Sequence, residues 1–304
     1  RRVLFRSVEI FKTTEEAFGH LGNDFTNKDG VVHSQVMLPE GANEAWSDRE
    51  RLWNDVESFE KRKDAQLCRE VEFAIPRELD QAEGIRLAQD FCEQEFVARG
   101  MVADLNVHWD EGPDGEYNPH AHVMLTMREV KDEGFGAKVR AWNATSMVEH
   151  WREAWALHVN ERMAELDLDI QIDHRSFKTL GIDLEPQHKI GAVSYDIDRE
   201  SERYDDHRRI ASENGVRLIA NPEIAIDAIT REQSTFTIRD LGKFIDRHSY
   251  GKEQFDEIWH KVLASPELVE LGEDDRGWDR YTSREMVETE RRLYRASDEL
   301  SLRA

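Results

Sequence analysis

Two short stretches set the expected fold of this chain: Asn106–Glu111 reads NVHWDE, and Asn118–Leu125 reads NPHAHVML. In a β-strand, residues at positions i and i+2 project from the same face. His120 and His122 therefore project side by side, while the apolar residues of the same stretch face the core (Ala121, Val123 and Leu125). The second stretch is predicted to be a strand with one polar face and one buried face.

The stretch that precedes it has the same alternation. Leu105 and Val107 are assigned to the core face, and His108 to the polar face. If the two strands pair, three imidazoles converge on one face of the sheet. Imidazole binds several divalent transition metals, and three protein ligands leave coordination positions open for substrate. The sequence predicts one divalent metal ion at His108, His120 and His122, and leaves magnesium, manganese and zinc as alternatives.

A third predicted strand carries two carboxylates on its polar face. Between Cys68 and Ile75 the apolar residues alternate (Val71, Phe73 and Ile75), which puts Glu70 and Glu72 together on the other face. A carboxylate near a metal and a reacting hydroxyl can act as a general base, or it can hold a ligating histidine. The residues alone leave both roles open.

The pattern around these strands is that of an α+β protein. Residues 31–38 form a further predicted strand, and amphipathic helices are expected at about residues 43–65, 79–99 and 147–166. Residues 192–213 are dense in charge and are expected to form a linker or an exposed helix, followed by a smaller helical region at 214–304. No apolar run approaches the roughly 18 residues of a membrane span, so membrane insertion is not expected.

The composition narrows the functional classes. The net charge of −23 over 304 residues counts against nucleic-acid binding, because such binding draws most of its affinity from Lys and Arg on phosphates. A local basic groove remains compatible with that total, since the field depends on where charges lie. Cys68 and Cys92 have no metal-ligand spacing and are expected to be buried thiols in a reducing cytosol.

Three segments in order resemble one family. The spacing His108-x-Asp-Glu, then Asn-Pro-His120-x-His122, resembles the metal motif of conjugative relaxases of the MobA/MobL family (MobQ class), which includes TraA-like relaxase-helicases of transmissible plasmids. Residues 69–79 (REVEFAIPREL) and 151–176 match two further family segments. Shorter segments between residues 221 and 286 resemble the region that joins such a relaxase to its helicase. A phosphate-binding Gly-x-x-x-x-Gly-Lys-Ser/Thr loop does not occur in the sequence, so ATP binding is not expected.

The resemblance implies a His-hydrophobic-His endonuclease fold over residues 8–191: an antiparallel sheet flanked by helices, followed by a smaller helical region. It implies metal-dependent nicking and strand transfer of single-stranded DNA at a plasmid origin of transfer. A tyrosine hydroxyl would attack one phosphodiester, and the metal would polarise that phosphate. Glu72 matches the position expected to assist the nucleophile.

The resemblance also implies partners. Arg69, His174 and Arg175 match family segments and are expected to contact DNA. Further partners would be other relaxosome proteins and a transfer coupling protein, in the cytoplasm of a plasmid-bearing bacterium.

One feature departs from the family pattern. The resemblance implies a nucleophilic tyrosine near the amino terminus, but no tyrosine precedes Tyr117, which is interpreted as a loop residue. Residues 1–7 (RRVLFRS) look like a translated synthetic sequencing adapter. The expectation is a chain truncated at both ends that binds metal and DNA without its nucleophile.

Three alternatives remain. The chain can be a module that binds origin DNA without cutting it, and a covalent protein–DNA adduct would separate the two. A rolling-circle replication initiator uses the same histidine arrangement but usually carries its tyrosine downstream, and none occurs between Met127 and Ser194. A zinc hydrolase of another fold ranks last, because a helical His-Glu-x-x-His motif is absent from the sequence.

Overall fold

The computed structural model describes residues 5–11, 30–62, 65–112, 115–131, 134–187, 202–274 and 277–301. The chain divides into two compact units: the first comprises Arg1–Leu166 with Ile172–His174, and the second comprises Asp167–Gln171 with Arg175–Ala304. Residues 1–4 of the expected adapter and 192–201 of the expected linker lie outside the described residues.

The first unit is built on a five-stranded sheet with the strand order β1-β3-β5-β4-β2, in which all neighbours are antiparallel. The strands are β1 (Phe5–Phe11), β2 (Val31–Met37), β3 (Cys68–Ala74), β4 (Ala103–Glu111) and β5 (Tyr117–Thr126). A small hairpin follows, formed by β6 (Arg128–Lys131) and β7 (Gly134–Lys138). The antiparallel sheet agrees with the α+β expectation. Residues 5–7 of the expected adapter lie in β1, where Phe5 pairs with Phe73 and Ser7 with Glu72 of β3.

Two helices cover the core face of this sheet: α2 (Gln81–Glu95) and α3 (Thr145–Glu165). Asp80 accepts a hydrogen bond from the N–H of Glu83 and so caps the start of α2. The ring of Phe73 on β3 lies 5.3 Å from Phe91 of α2 and 4.3 Å from Trp155 of α3, measured between centroids. Aromatic contacts at these distances hold both helices on the apolar side of the sheet.

A third helix, α1 (Arg49–Phe59), lies on the other face. Its Trp53 belongs to a buried cluster with Cys68 of β3 and Met124 of β5. The indole N–H of Trp53 donates to the Asp104 carboxylate over 2.9 Å. This helix therefore covers the part of the polar face that carries Asp104 and Met124.

The second unit mixes helices with a small sheet. Its helices are α4 (Glu202–Ala220), α5 (Glu223–Thr230), α6 (Ile238–Arg247), α7 (Gly251–Leu263) and α8 (Arg284–Ser301). Its strands are β8 (Phe236–Thr237), β9 (Leu268–Glu273) and β10 (Asp279–Ser283), in the order β8-β10-β9. One apolar core joins these elements, with fully buried residues from four of them (Leu218, Phe236, Leu241 and Ile258).

The structure refines two expectations for this region. Residues 202–213 lie in α4, which agrees with the helix alternative, and Ile210 and Ala211 of this helix are buried. Region 214–304 is not purely helical, since it contains the three-stranded sheet. Among the described helices, none is long and apolar enough to cross a membrane.

Candidate metal centre

The structure brings the three predicted histidines together. In the β4–β5 register, His108 pairs with His120 and Asn106 pairs with His122. The ring centroids of the three histidines lie 5.0, 5.1 and 5.1 Å apart. His108 and His120 are each 8% exposed, so the cluster lies within the sheet face and not at its rim.

Hydrogen bonds orient two of the rings. Nδ1 of His120 lies 2.8 Å from the carbonyl oxygen of Asn118, and Nδ1 of His122 lies 2.8 Å from Oε1 of Glu70. A carbonyl oxygen only accepts, so His120 donates through Nδ1–H, and Nε2 is then the ring nitrogen that carries the lone pair, the form in which an imidazole binds a metal. An ionised Glu70 fixes His122 in the same tautomer. These rings have the chemistry that a metal requires of imidazole ligands.

Carboxylates lie on both neighbouring strands. Glu72 pairs with His122 across β3 and β5, and one ligand-type atom from each of Glu72, His120 and His122 lies within 4.8 Å of the other two. The same holds for a second set, His108, Asp110 and His120. Of the two carboxylates on β3, Glu70 holds a histidine, while Glu72 lies beside two of them.

A buried polar cluster adjoins the histidines along β4. The Arg49 guanidinium donates to the Asp104 carboxylate over 2.6–2.9 Å and to Oδ1 of Asn106 over 3.0 Å. Asp104 is fully buried. Sequence reasoning missed this cluster, although Asp104, Asn106 and His108 alternate with apolar residues and so share one face.

Arg69 is not in this region, which corrects its expected role in DNA contact. It alternates with Glu70 and so projects to the core face with Val71 and Phe73, and it is only 4% exposed. Its guanidinium hydrogen-bonds to the Trp142 carbonyl and the Asn143 side chain. Burial lowers the pKa of this guanidinium below its ordinary value. Arg69 joins the sheet to the segment before α3.

The remaining candidates lie elsewhere. His174 is half-buried and Arg175 is exposed, in a segment without helix or strand. Tyr117 is the first residue of β5 rather than a loop residue, and it is 57% exposed. Its position alternates with those of His120 and His122, which puts it on the opposite face of the strand. Cys68 and Cys92 are free and buried, as expected, and burial raises the pKa of both thiols.

The sequence is similar to a protein family model and to several curated proteins. The MobA/MobL family model matches residues 12–200. The "Conjugal transfer protein TraA" of Agrobacterium fabrum is 33% identical over 326 residues, covering 91% of this chain and 29% of the relative. The "Mobilization protein MobL" of Acidithiobacillus ferridurans is 29% identical over 259 residues, covering 74% of this chain and 68% of the relative. This chain thus spans less than a third of the length of the TraA relative.

Two solved structures are also similar. One, described as "Molecular Basis of Vancomycin Resistance Transfer in Staphylococcus aureus", has a TM-score of 0.46 and 31% identity, covering 50% of this chain and 79% of that one. The other, the conjugative relaxase TrwC in complex with oriT DNA in a metal-bound structure, has a TM-score of 0.39 and 11% identity, covering 84% of this chain and 98% of that one. The family match covers well over half of this sequence, and the chain belongs to the MobA/MobL family.

Proposed function

We propose that this chain is the metal-binding, DNA-nicking part of a conjugative relaxase that acts on single-stranded DNA at a plasmid origin of transfer. The observation that carries the proposal is the cluster of His108, His120 and His122, whose ring centroids lie 5.0–5.1 Å apart and in which Nδ1 of His120 and Nδ1 of His122 are each held in a hydrogen bond. The names of the relatives, conjugal transfer and mobilization proteins, support the same reading.

The proposed roles follow from the contacts. A divalent ion held by the three histidines would polarise the scissile phosphate and offset charge that develops on its oxygens. Glu70 keeps the His122 ring in a single orientation. Glu72, beside His120 and His122, would accept the proton of the attacking tyrosine hydroxyl. A bond would then form between the tyrosine oxygen and phosphorus as the bond to the 3′ oxygen breaks, which leaves a 5′-phosphotyrosyl protein and a 3′ oxygen that takes up a proton to become a free hydroxyl.

A module that binds origin DNA without cutting it is a second candidate. Tyr117 is the only tyrosine in the sequence of the first unit. It lies on β5, an odd number of residues from His120 and His122, so its side chain is assigned to the opposite face of the strand. Both candidate functions use the metal site and bind the same DNA strand. Only the nicking enzyme forms a covalent bond between a tyrosine and the DNA phosphate.

The wider assignments are proposals that extend the family resemblance. We infer that other relaxosome proteins and a transfer coupling protein are partners, that the protein acts in the bacterial cytoplasm, and that residues 214–304 lead toward a helicase region. His174 and Arg175 remain proposed contacts for DNA.

The test has two stages. Fluorescent single-stranded oligonucleotides that tile the non-coding DNA beside the gene are titrated with the chain, with and without Mn²⁺. We expect one oligonucleotide to bind at least tenfold more tightly than the rest, with a further gain from Mn²⁺ that His120→Ala removes. Equal binding to all oligonucleotides, indifferent to Mn²⁺, would contradict the proposal.

The second stage separates nicking from binding alone. The chain is joined at its amino end to a tyrosine-bearing family segment and incubated with the preferred oligonucleotide. An adduct that survives denaturing electrophoresis, and that is absent from the matched His120→Ala fusion, supports the nicking enzyme. Tight binding with no adduct would favour the non-cleaving module.

A further inference from the structure

Asp110 lies beside the histidines but has no part in the function proposed above. It follows His108 by two residues in β4, so the two side chains project from the same face. One ligand-type atom from each of His108, Asp110 and His120 lies within 4.8 Å of the other two. Asp110 also pairs across the sheet with Asn118, whose carbonyl oxygen holds Nδ1 of His120.

The neighbouring strand leaves room for this carboxylate. Gly30 directly precedes β2, and its carbonyl oxygen accepts the N–H of Trp109 over 2.7 Å. A methyl group at Gly30 would overlap the Asp110 carboxylate. The φ angle of Gly30 is +95°, a conformation that glycine adopts readily and other residues rarely do. The space for Asp110 therefore depends on the missing side chain at residue 30.

We propose that Asp110 is a fourth, oxygen ligand of the metal ion held by His108, His120 and His122. The inference rests on the proposed metal site. Glu72 flanks His120 from β3 and Asp110 flanks it from β4, so the two carboxylates approach β5 from opposite sides. The two carboxylates then have different roles: Glu72 accepts the proton of the attacking hydroxyl, and Asp110 binds the metal ion.

An oxygen ligand changes which ion the site prefers. Imidazole suits zinc, copper and nickel, whereas carboxylates suit magnesium and manganese. A site of three imidazoles and one carboxylate also lowers the net charge of a bound divalent ion from +2 to +1. Asp110 therefore shifts the selectivity of the centre toward manganese or magnesium, ions that bind phosphate oxygens readily.

The test measures metal binding directly, without DNA. The purified chain, Asp110→Asn and the matched control Glu111→Gln are titrated by calorimetry with Mn²⁺ and, separately, with Zn²⁺. Glu111 is the next residue of β4 and is exposed, so its variant removes the same charge from outside the site. Asp110→Asn is expected to weaken Mn²⁺ binding about tenfold or more and Zn²⁺ binding by less than about threefold. Glu111→Gln should change neither.

Gly30→Ala provides a second variant that leaves every proposed ligand in the sequence. Because the added methyl displaces the Asp110 carboxylate, it should weaken Mn²⁺ binding in the same direction. Manganese affinity within about twofold of the parent in both Asp110→Asn and Gly30→Ala would overturn the role of Asp110. If His120→Ala also left manganese binding intact, the proposed three-histidine site itself would fail.

Discussion

Oε1 of Glu70 lies 2.8 Å from Nδ1 of His122, and the Glu70 side chain is only 2% exposed. A carboxylate buried against a histidine in this way fixes the tautomer and the orientation of the ring and raises its basicity as a ligand. Glu70 and Glu72 stand two residues apart on one strand, yet they have different neighbours: Glu70 contacts one ring, and Glu72 lies beside two.

Glu70→Ala is therefore expected to weaken metal binding about 10- to 100-fold, the usual effect of losing such a partner. The His122 ring would lose the acceptor that holds its Nδ1–H. Calorimetric titration with Mn²⁺ measures the change, and Glu129→Ala, at an exposed position on β6, serves as the control. Unchanged affinity in Glu70→Ala would mean that His122 is oriented by other contacts.

Glu72→Gln is expected to act on the reaction more than on the ion. A glutamine cannot accept the proton of the attacking hydroxyl, so the rate of adduct formation should fall about 10²- to 10⁴-fold. Manganese affinity should stay within a few-fold of the parent. Single-turnover adduct formation in the tyrosine-extended protein gives the rate. A large loss of metal affinity with an unchanged rate per bound metal would make Glu72 a ligand instead of a base.

Asp104→Ala is expected to destabilise the first unit by about 1–3 kcal/mol, because it leaves the buried Trp53 N–H without its acceptor and removes the carboxylate that pairs with the half-buried Arg49 guanidinium. Urea denaturation followed by tryptophan fluorescence measures this loss. The double variant Arg49→Met with Asp104→Leu removes both charges and should cost less than the sum of Arg49→Met and Asp104→Leu alone. Additive losses would show that the two residues are not coupled.

Glu60 gives the fold a pH dependence. Burial raises the pKa of Glu60, but hydrogen bonds and charge from Arg128 and Lys138 outweigh burial and hold that pKa below its ordinary value. Both partners belong to the β6–β7 hairpin, and the Arg128 contact is bidentate at 2.8 and 3.0 Å. Because the pKa is lowered by folding, the stabilisation is complete above about pH 4.3 and is lost as the pH falls through the lowered value.

The variant Glu60→Gln tests the direction of this pH dependence of stability. Its free energy of unfolding should lie below that of the parent above about pH 4.3, and the difference should shrink as the pH falls below that value. Denaturant titrations at several pH values measure the difference. A difference that grows toward low pH would contradict the assignment.

The convergence of the three histidines was largely predictable from local sequence. Alternation in two strands is enough to put His120 and His122 on one face and His108 on the facing polar surface, because strand periodicity is fixed by backbone geometry. The different neighbours of Glu70 and Glu72 were not predictable, since they depend on the register between β3 and β5. The close approach of Gly30 to Asp110 was also not predictable, because it depends on the pairing of β2 with β4, two strands that are far apart in sequence.

The second unit shows a different limit. Region 192–213 was expected to be a linker or an exposed helix because charge dominates its composition, yet Ile210 and Ala211 of α4 are buried. Helix formation there depends on tertiary packing of a few apolar residues. Strands β9 and β10 were missed because their sequences, LVELGE and DRYTS, lack a clear alternation of apolar residues. The resemblance to the family assigned Arg69 to a DNA contact, whereas strand alternation assigns its side chain to the core face, where it is buried.

The most direct test of the central claim is a calorimetric titration of the chain with Mn²⁺ beside the His108→Ala and His120→Ala variants. The three-histidine centre predicts a single site in the parent that is lost in both variants, with far-ultraviolet circular dichroism and thermal unfolding of the apo proteins close to those of the parent. Binding that persists in both variants, or no binding in the parent, would contradict it.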